Sequence, residues 1–198
     1  MVRRPRRSIV VVAGLLVAGA LVLAGCGSST STSSKTQTST ADASPTAGPS
    51  PTAQPAGVNP SESAVMVCAP EAQNEIAGTL GVPATQVTPP TWIDHLYSCT
   101  YEYPNGSFVV LVKELDNLSE TIAYYNATRA RLGARPGPLA LGNAAFVATD
   151  GSIVVRKDFK VMTVDVTHLP QQFGSPPQDR SDAGLSVAAS VMNCWSGA

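Results

Sequence analysis

Charge is scarce in this chain. Asp, Glu, Lys and Arg make up 14% of its 198 residues, against about 25% in an ordinary soluble protein. Histidine is scarcer, with two in all, which leaves little for a His-rich metal site. There is no Gly-x-Ser-x-Gly elbow, no Walker loop, no His-Glu-x-x-His and no Cys-x-x-Cys, so the familiar hydrolase, nucleotide, zinc-protease and dithiol signatures are missing. Net basic charge is missing as well. Arg3, Arg4, Arg6 and Arg7 are the only charges in residues 1–25, so the formal charge of −1 becomes −5 once those four cations are set aside. A basic nucleic-acid surface is excluded on that balance, and nothing points to a cofactor, a metal or a catalytic group.

The residues that are present are ordered by region. Behind the arginines, Ile9 to Leu23 is an apolar stretch. It is short for a membrane span, which needs about 20 residues, and suits the apolar region of a signal peptide. It ends in Leu23-Ala24-Gly25-Cys26. These four residues resemble the lipobox of bacterial lipoproteins. That resemblance implies a signal peptide over 1–25, a diacylglyceryl thioether with palmitate-type acyl chains on the Cys26 thiol, and cleavage that makes Cys26 the new N-terminus. The alternative is an uncleaved signal anchor with an incidental Cys. Arg6-Arg7-Ser8-Ile9-Val10 also resembles a twin-arginine export signal, though any basic leader serves the general secretory route.

Residues 27–62 are almost all Ser, Thr, Ala, Pro, Gly and Gln. Such a segment has too little apolar surface to offset its ordering entropy and is expected to be a disordered tether. As a flexible chain it spans roughly 30–35 Å.

The folded part is expected over 63–198, in the order helix, hairpin, helix, three-stranded meander, helix. Ala72, Ile76 and Leu80 recur at helical spacing behind Cys68. Two strands, 98–103 and 108–114, flank Pro104-Asn105-Gly106, and Asn-Gly predicts a hairpin turn with positive φ at both central residues. Phe108-Val109-Val110-Leu111-Val112 is apolar on both faces, which predicts a central strand. Asn117 with Glu120 predicts a capped helix with Leu118, Ile122, Tyr125 and Leu132 inward. Three strands follow over 144–149, 152–157 and 160–166. A last helix over 182–195 carries Leu185, Ala188, Ala189, Met192 and Trp195 on one stripe. Short turns make antiparallel neighbours. The expected class is α+β, a roughly five-stranded antiparallel sheet with helices packed on it.

Cys68, Cys99 and Cys194 remain beside Cys26. An extracytoplasmic setting favours a disulfide. Cys68–Cys99 is the pairing expected, Cys68–Cys194 the alternative, and Cys194 otherwise reads as a small apolar helix residue beside Val187 and Val191.

Polar candidates are few. Asp94-His95 is the nearest approach to an acid–base pair, but neighbours in a loop point different ways. His168 follows Asp165 where a strand exits. Asp165 alternates with Val161 and Thr163 and belongs on an outer or cleft face. Lys113 and Arg156 are placed to pair with acids on adjacent strands. Tyr97, Tyr101 and Tyr103 share one face, either as core or as an exposed binding row.

Together the lipobox, the Ser/Thr/Pro stalk and the Ala-rich composition resemble an actinobacterial, mycobacteria-like lipoprotein. Val67-Cys68-Ala69, Ser98-Cys99-Thr100 and Leu141-Gly142-Asn143-Ala144-Ala145 are further similar to a family of small actinobacterial lipoproteins of unknown function, across about residues 64–166. Cys194 is a departure from that family. The resemblance implies location and fold: the outer face of a bacterial cell membrane, held by a lipid anchor. The expected function is a non-enzymatic module binding a cell-envelope protein or polymer. A carrier of a small apolar ligand is the alternative, and an envelope hydrolase a third reading.

Overall fold

A computed structural model describes residues 54–196. Cys26, the expected signal peptide and residues 27–53 of the expected tether lie outside the described residues. The folded part begins ahead of residue 63. Ala56 N–H donates to the Leu115 carbonyl at 3.1 Å, and the Trp92 indole N–H donates to the Val58 carbonyl at 2.9 Å. The last residues of the expected tether are therefore laid against the domain.

Helix α1 (Glu62–Met66) follows, with Ser61 as its N-cap. The Ser61 N–H and hydroxyl both donate to Glu114, a carboxylate only 3% exposed. That buried acid anchors the incoming chain. Helix α2 (Pro70–Leu80) starts on proline, stops at left-handed Gly81, and buries Ala72, Ile76 and Leu80 as their spacing predicts. Between the two helices Cys68 is bonded to Cys99, with 6.1 Å between Cα atoms. The alternative pairing of Cys68 with Cys194 does not form; Cys194 sits half-buried on the last helix.

The sheet has seven strands rather than about five, all antiparallel. They are β1 (Gln86–Val87), β2 (Thr91–Ile93), β3 (Leu96–Tyr103), β4 (Gly106–Glu114), β5 (Ala144–Val147), β6 (Ile153–Lys157) and β7 (Lys160–Asp165). Their spatial order is β1-β3-β4-β7-β6-β5, with β2 also paired to β3. The five expected strands all form. The two added ones are two and three residues long and sit among prolines, so no periodicity could reveal them. A small hairpin, β8 (Gln172–Phe173) with β9 (Gln178–Asp179), lies apart from the sheet.

Two turns differ in chemistry from expectation. The β3–β4 hairpin pairs Tyr103 with Gly106, so its central residues are Pro104-Asn105 and not Asn105-Gly106. Gly106 is needed for another reason: a Cβ there would stand 2.6 Å from the His168 carbonyl oxygen. Asp94-His95 is itself a two-residue hairpin turn between β2 and β3, with φ of 51° and 57°. Asp and His are among the non-glycine residues that tolerate this region.

Helix α3 (Leu118–Leu132) has the predicted cap. Glu120 N–H donates to Asn117 Oδ1 at 3.0 Å, and Asn117 Nδ2 returns to Glu120 Oε1 at 2.8 Å. Its inward stripe is only partly the predicted one: Tyr125 is buried and Leu132 packs against the same cluster. Thr121, Tyr125 and Thr128 are buried, while Leu118 and Ile122 face out at 47% and 39% exposure. Two short threonines let the helix approach the sheet closely enough to seat the Tyr125 ring against Phe146, 5.5 Å between centroids.

Helix α4 (Arg180–Ser196) closes the fold with Ala183, Val187, Ala188, Val191, Met192 and Trp195 buried. Leu185 and Ala189 of the expected stripe are half-buried at its margin. Gly184 lets this helix lie on the strands: a Cβ would come within 2.8 Å of a Val166 methyl.

Candidate binding site on the open sheet face

The two faces of the sheet are covered unequally. One carries Tyr97, Cys99, Tyr101, Tyr103, Phe108, Val110, Val112, Met162 and Val164, all buried beneath α1, α2 and α4. The Tyr row is therefore core and not a binding surface. Tyr101 stacks on Phe108 at 4.7 Å and its hydroxyl donates to the Val67 carbonyl at 2.7 Å. Burial, with smaller contributions from Tyr103 and Tyr97, pushes the Tyr101 phenol well above its ordinary range. Burial alone pushes Tyr103 up to about 12, and its hydroxyl has no hydrogen-bond partner among the described residues.

The opposite face is half covered. Tyr125, Phe146, Ala148, Val154 and Val161 form a smaller cluster under α3, over β5, β6 and β7. Over β3 and β4 on this side no helix of the described residues lies, and Leu96, Ser98, Thr100, Val109, Leu111 and Lys113 are only half-buried there. Register aligns them in rows across three strands: Ser98, Leu111 and Thr163 in one, Thr100, Val109 and Asp165 in the next.

Two hollows occupy this uncovered half. The first, about 410 Å³, is lined by Thr91, Ile93, Asp94, Leu96, Ser98, Lys113 and Tyr124. The second, about 210 Å³, runs on beneath α3. It is lined by Leu96, Leu111, Lys113, Tyr124, Arg131, Leu132, Asp150, Ser152, Val161, Thr163 and Asp165. Leu96, Lys113 and Tyr124 belong to both, so the hollows adjoin as one groove between α3 and the β2 edge.

Its polar groups are individually held. Asp150 Oδ1 accepts from the Ser152 N–H at 2.9 Å. Asp165 Oδ1 accepts from the Thr167 N–H and hydroxyl at 2.9 and 2.6 Å. Each carboxylate is thus oriented by its own turn. Thr91 and Ser98 hydroxyls pair at 2.9 Å, and Lys113 Nζ donates to the Asp94 carbonyl. The Ser152 side chain is buried and its hydroxyl has no hydrogen-bond partner among the described residues.

Of the residues singled out in the sequence, the structure brings Asp94, Lys113 and Asp165 to this groove. It leaves His95 on the turn, edge-on to Trp92 at 5.6 Å, and His168 exposed, with its carbonyl accepting from Ser107 N–H at 3.3 Å. Arg156 is half-buried on β6, where its charge acts on Tyr125: burial raises that phenol, and Arg129 and Arg156 oppose the rise. Tyr124, Arg131, Asp150 and Ser152 were not recognised as site residues. The one signal for such a groove was the doubly apolar Phe108–Val112 run facing a hydroxyl-bearing side of β3.

Among the described residues no group of three or more His, Cys, Asp or Glu could hold a metal ion, and no helix is long and apolar enough to cross a membrane. No family model, curated protein or solved structure matches the chain.

Proposed function

We propose that this chain is a bacterial surface lipoprotein, held through a lipid on Cys26 at the outer face of the cell membrane. Its folded part is a non-enzymatic module that binds a partner in the cell envelope through the open half of its sheet. The observation that carries the reading is the unequal covering of the two faces. Helices seal one, while the other keeps a groove in which exposed and half-buried charged and hydroxyl groups are held by local hydrogen bonds. Recognition surfaces combine apolar patches with a few fixed polar groups in this way. Asp94 and His95, the nearest candidates for acid–base work, are the two central residues of a hairpin turn, which supports binding over hydrolysis. A carrier of a small apolar ligand has less support: both hollows are open to solvent and lined by charge as well as by Leu96, Leu111 and Tyr124.

Cross-linking in cells tests the module. The full chain would carry a photo-activatable residue at Ile93 on the open face or at Asn193, exposed on α4. Adducts from position 93 and none from 193 are expected; equal labelling at both would sink the assignment to the open face. The anchor is tested separately. Cys26→Ala should abolish fatty-acid labelling and release the chain from the membrane, and retention of label would remove Cys26 as the lipid site.

A further inference from the structure

Resting on that reading, we infer that the groove takes a neutral, hydroxyl-rich ligand, namely a glycan segment of the envelope. The charge balance comes first. In the hollow beneath α3, Lys113 and Arg131 face Asp150 and Asp165, so cations and carboxylates cancel. Asp94 in the adjoining hollow tips the whole groove slightly acidic. A phosphate-bearing or acidic polymer would meet no net attraction there.

The hydrogen-bonding inventory comes second. Both Asp150 and Asp165 use Oδ1 internally. Their Oδ2 atoms have no partner among the described residues, and each is an acceptor for a ligand hydroxyl. Arg131 is exposed and presents a planar fork of donors. Ser152 contributes a buried, unpartnered hydroxyl to the same hollow. Buried polar groups without partners are uncommon and call for an explanation; a ligand hydroxyl or its bridging water supplies one. A sugar ring offers alternating donors and acceptors to such a set.

The backbone comes third. Across β3, β4 and β7, the floor of the groove, every strand is already paired on both sides, so an extended peptide could add a strand only along the outer edge of β2 and not across the groove itself. Tyr124 lines both hollows, an amphipathic ring on which the apolar face of a sugar can rest while its hydroxyl remains available. Two adjoining hollows suit successive rings of a polymer.

Sedimentation with isolated cell walls tests this. The full chain, solubilised in detergent, is mixed with walls from the bacterium that makes it. The walls are used untreated, protease-digested or oxidised with periodate, which cleaves vicinal diols. Co-sedimentation with the untreated and digested walls is expected, with affinity falling about tenfold or more after periodate. Tyr124→Ala and Arg131→Ala should each weaken binding several-fold. Arg131 is exposed, so its variant keeps the native melting temperature and remains informative should the Tyr124 variant fold poorly. Binding that survives periodate but is lost on protease digestion overturns the glycan and leaves the module with a protein partner. Binding undiminished in the Arg131 variant overturns the groove. No sedimentation with untreated walls overturns the glycan; if the cross-linking experiment also finds no adduct from position 93, the module falls with it.

Discussion

On β4, Val110 and Leu111 are neighbours in the chain and opposites in their surroundings. Val110 is wholly buried among Cys99, Val164 and the helices beyond; Leu111 lies half-buried in a groove between Ser98 and Thr163. The same contrast runs along the whole strand. The sealed face is mostly apolar, with Glu114 at one end, and it holds the sheet to its helices. The open face mixes hydroxyls, charges and aliphatic groups, which adds little to that adhesion. Stability is concentrated on one side and the proposed recognition on the other, so substitutions on the two sides should separate cleanly.

The largest effect should come from breaking the sealed face. Phe108→Ala removes a ring stacked on both Tyr101 and Tyr103 and should cost about 3–5 kcal/mol. Leu111→Ser, on the other face, should cost less than about 1 kcal/mol. Urea unfolding of both full-chain variants measures the difference, and equal losses would end the distinction.

Removing the covalent link is next. Replacing Cys68 and Cys99 together by Ala frees a 31-residue separation and should destabilise by about 2–4 kcal/mol. Wall binding by the variant, measured below its melting temperature, should be unchanged.

The smallest effects sharpen the comparison within the core. Tyr101→Phe deletes the bond to the Val67 carbonyl and should cost about 1 kcal/mol. Tyr103→Phe removes a buried hydroxyl without a partner, and should be neutral or slightly stabilising. The two phenols are also raised by burial. Because the unfolded chain loses those protons near pH 10, their contribution is intact below that pH. It is lost as pH climbs toward the folded value of about 12 for Tyr103. Stability measured at intervals above pH 9 should fall, and less steeply in Tyr103→Phe.

Much of the sealed face was legible because its signal is periodic. Tyr97, Cys99, Tyr101 and Tyr103 alternate with Ser98, Thr100 and Glu102, and the structure buries every second residue. Ala72, Ile76 and Leu80 recur at helical spacing with nothing to compete. The open face was harder to read. On α3 the larger apolar residues Leu118 and Ile122 were expected inward, but Thr121 and Thr128 are buried instead, because closeness of approach outweighed side-chain hydrophobicity. Asp94-His95 lacks the glycine that advertises a tight hairpin. The groove draws Tyr124, Arg131, Asp150 and Ser152 from a helix and a turn far apart in sequence, and only the packing of α3 on β6 and β7 brings them together.

The disulfide also has a mechanical meaning. A pull on the chain from its N-terminal side first meets the hydrogen bonds of Ala56 to Leu115, of Val58 to the Trp92 indole and of Ser61 to Glu114. Those bonds and α1 can peel, paying out residues 54–67, about 45–50 Å of extended chain. At Cys68 the peeling stops, since the load passes through sulfur into Cys99 on β3, an interior strand of the sheet. The domain thus carries a short extensible leader with a covalent end-stop.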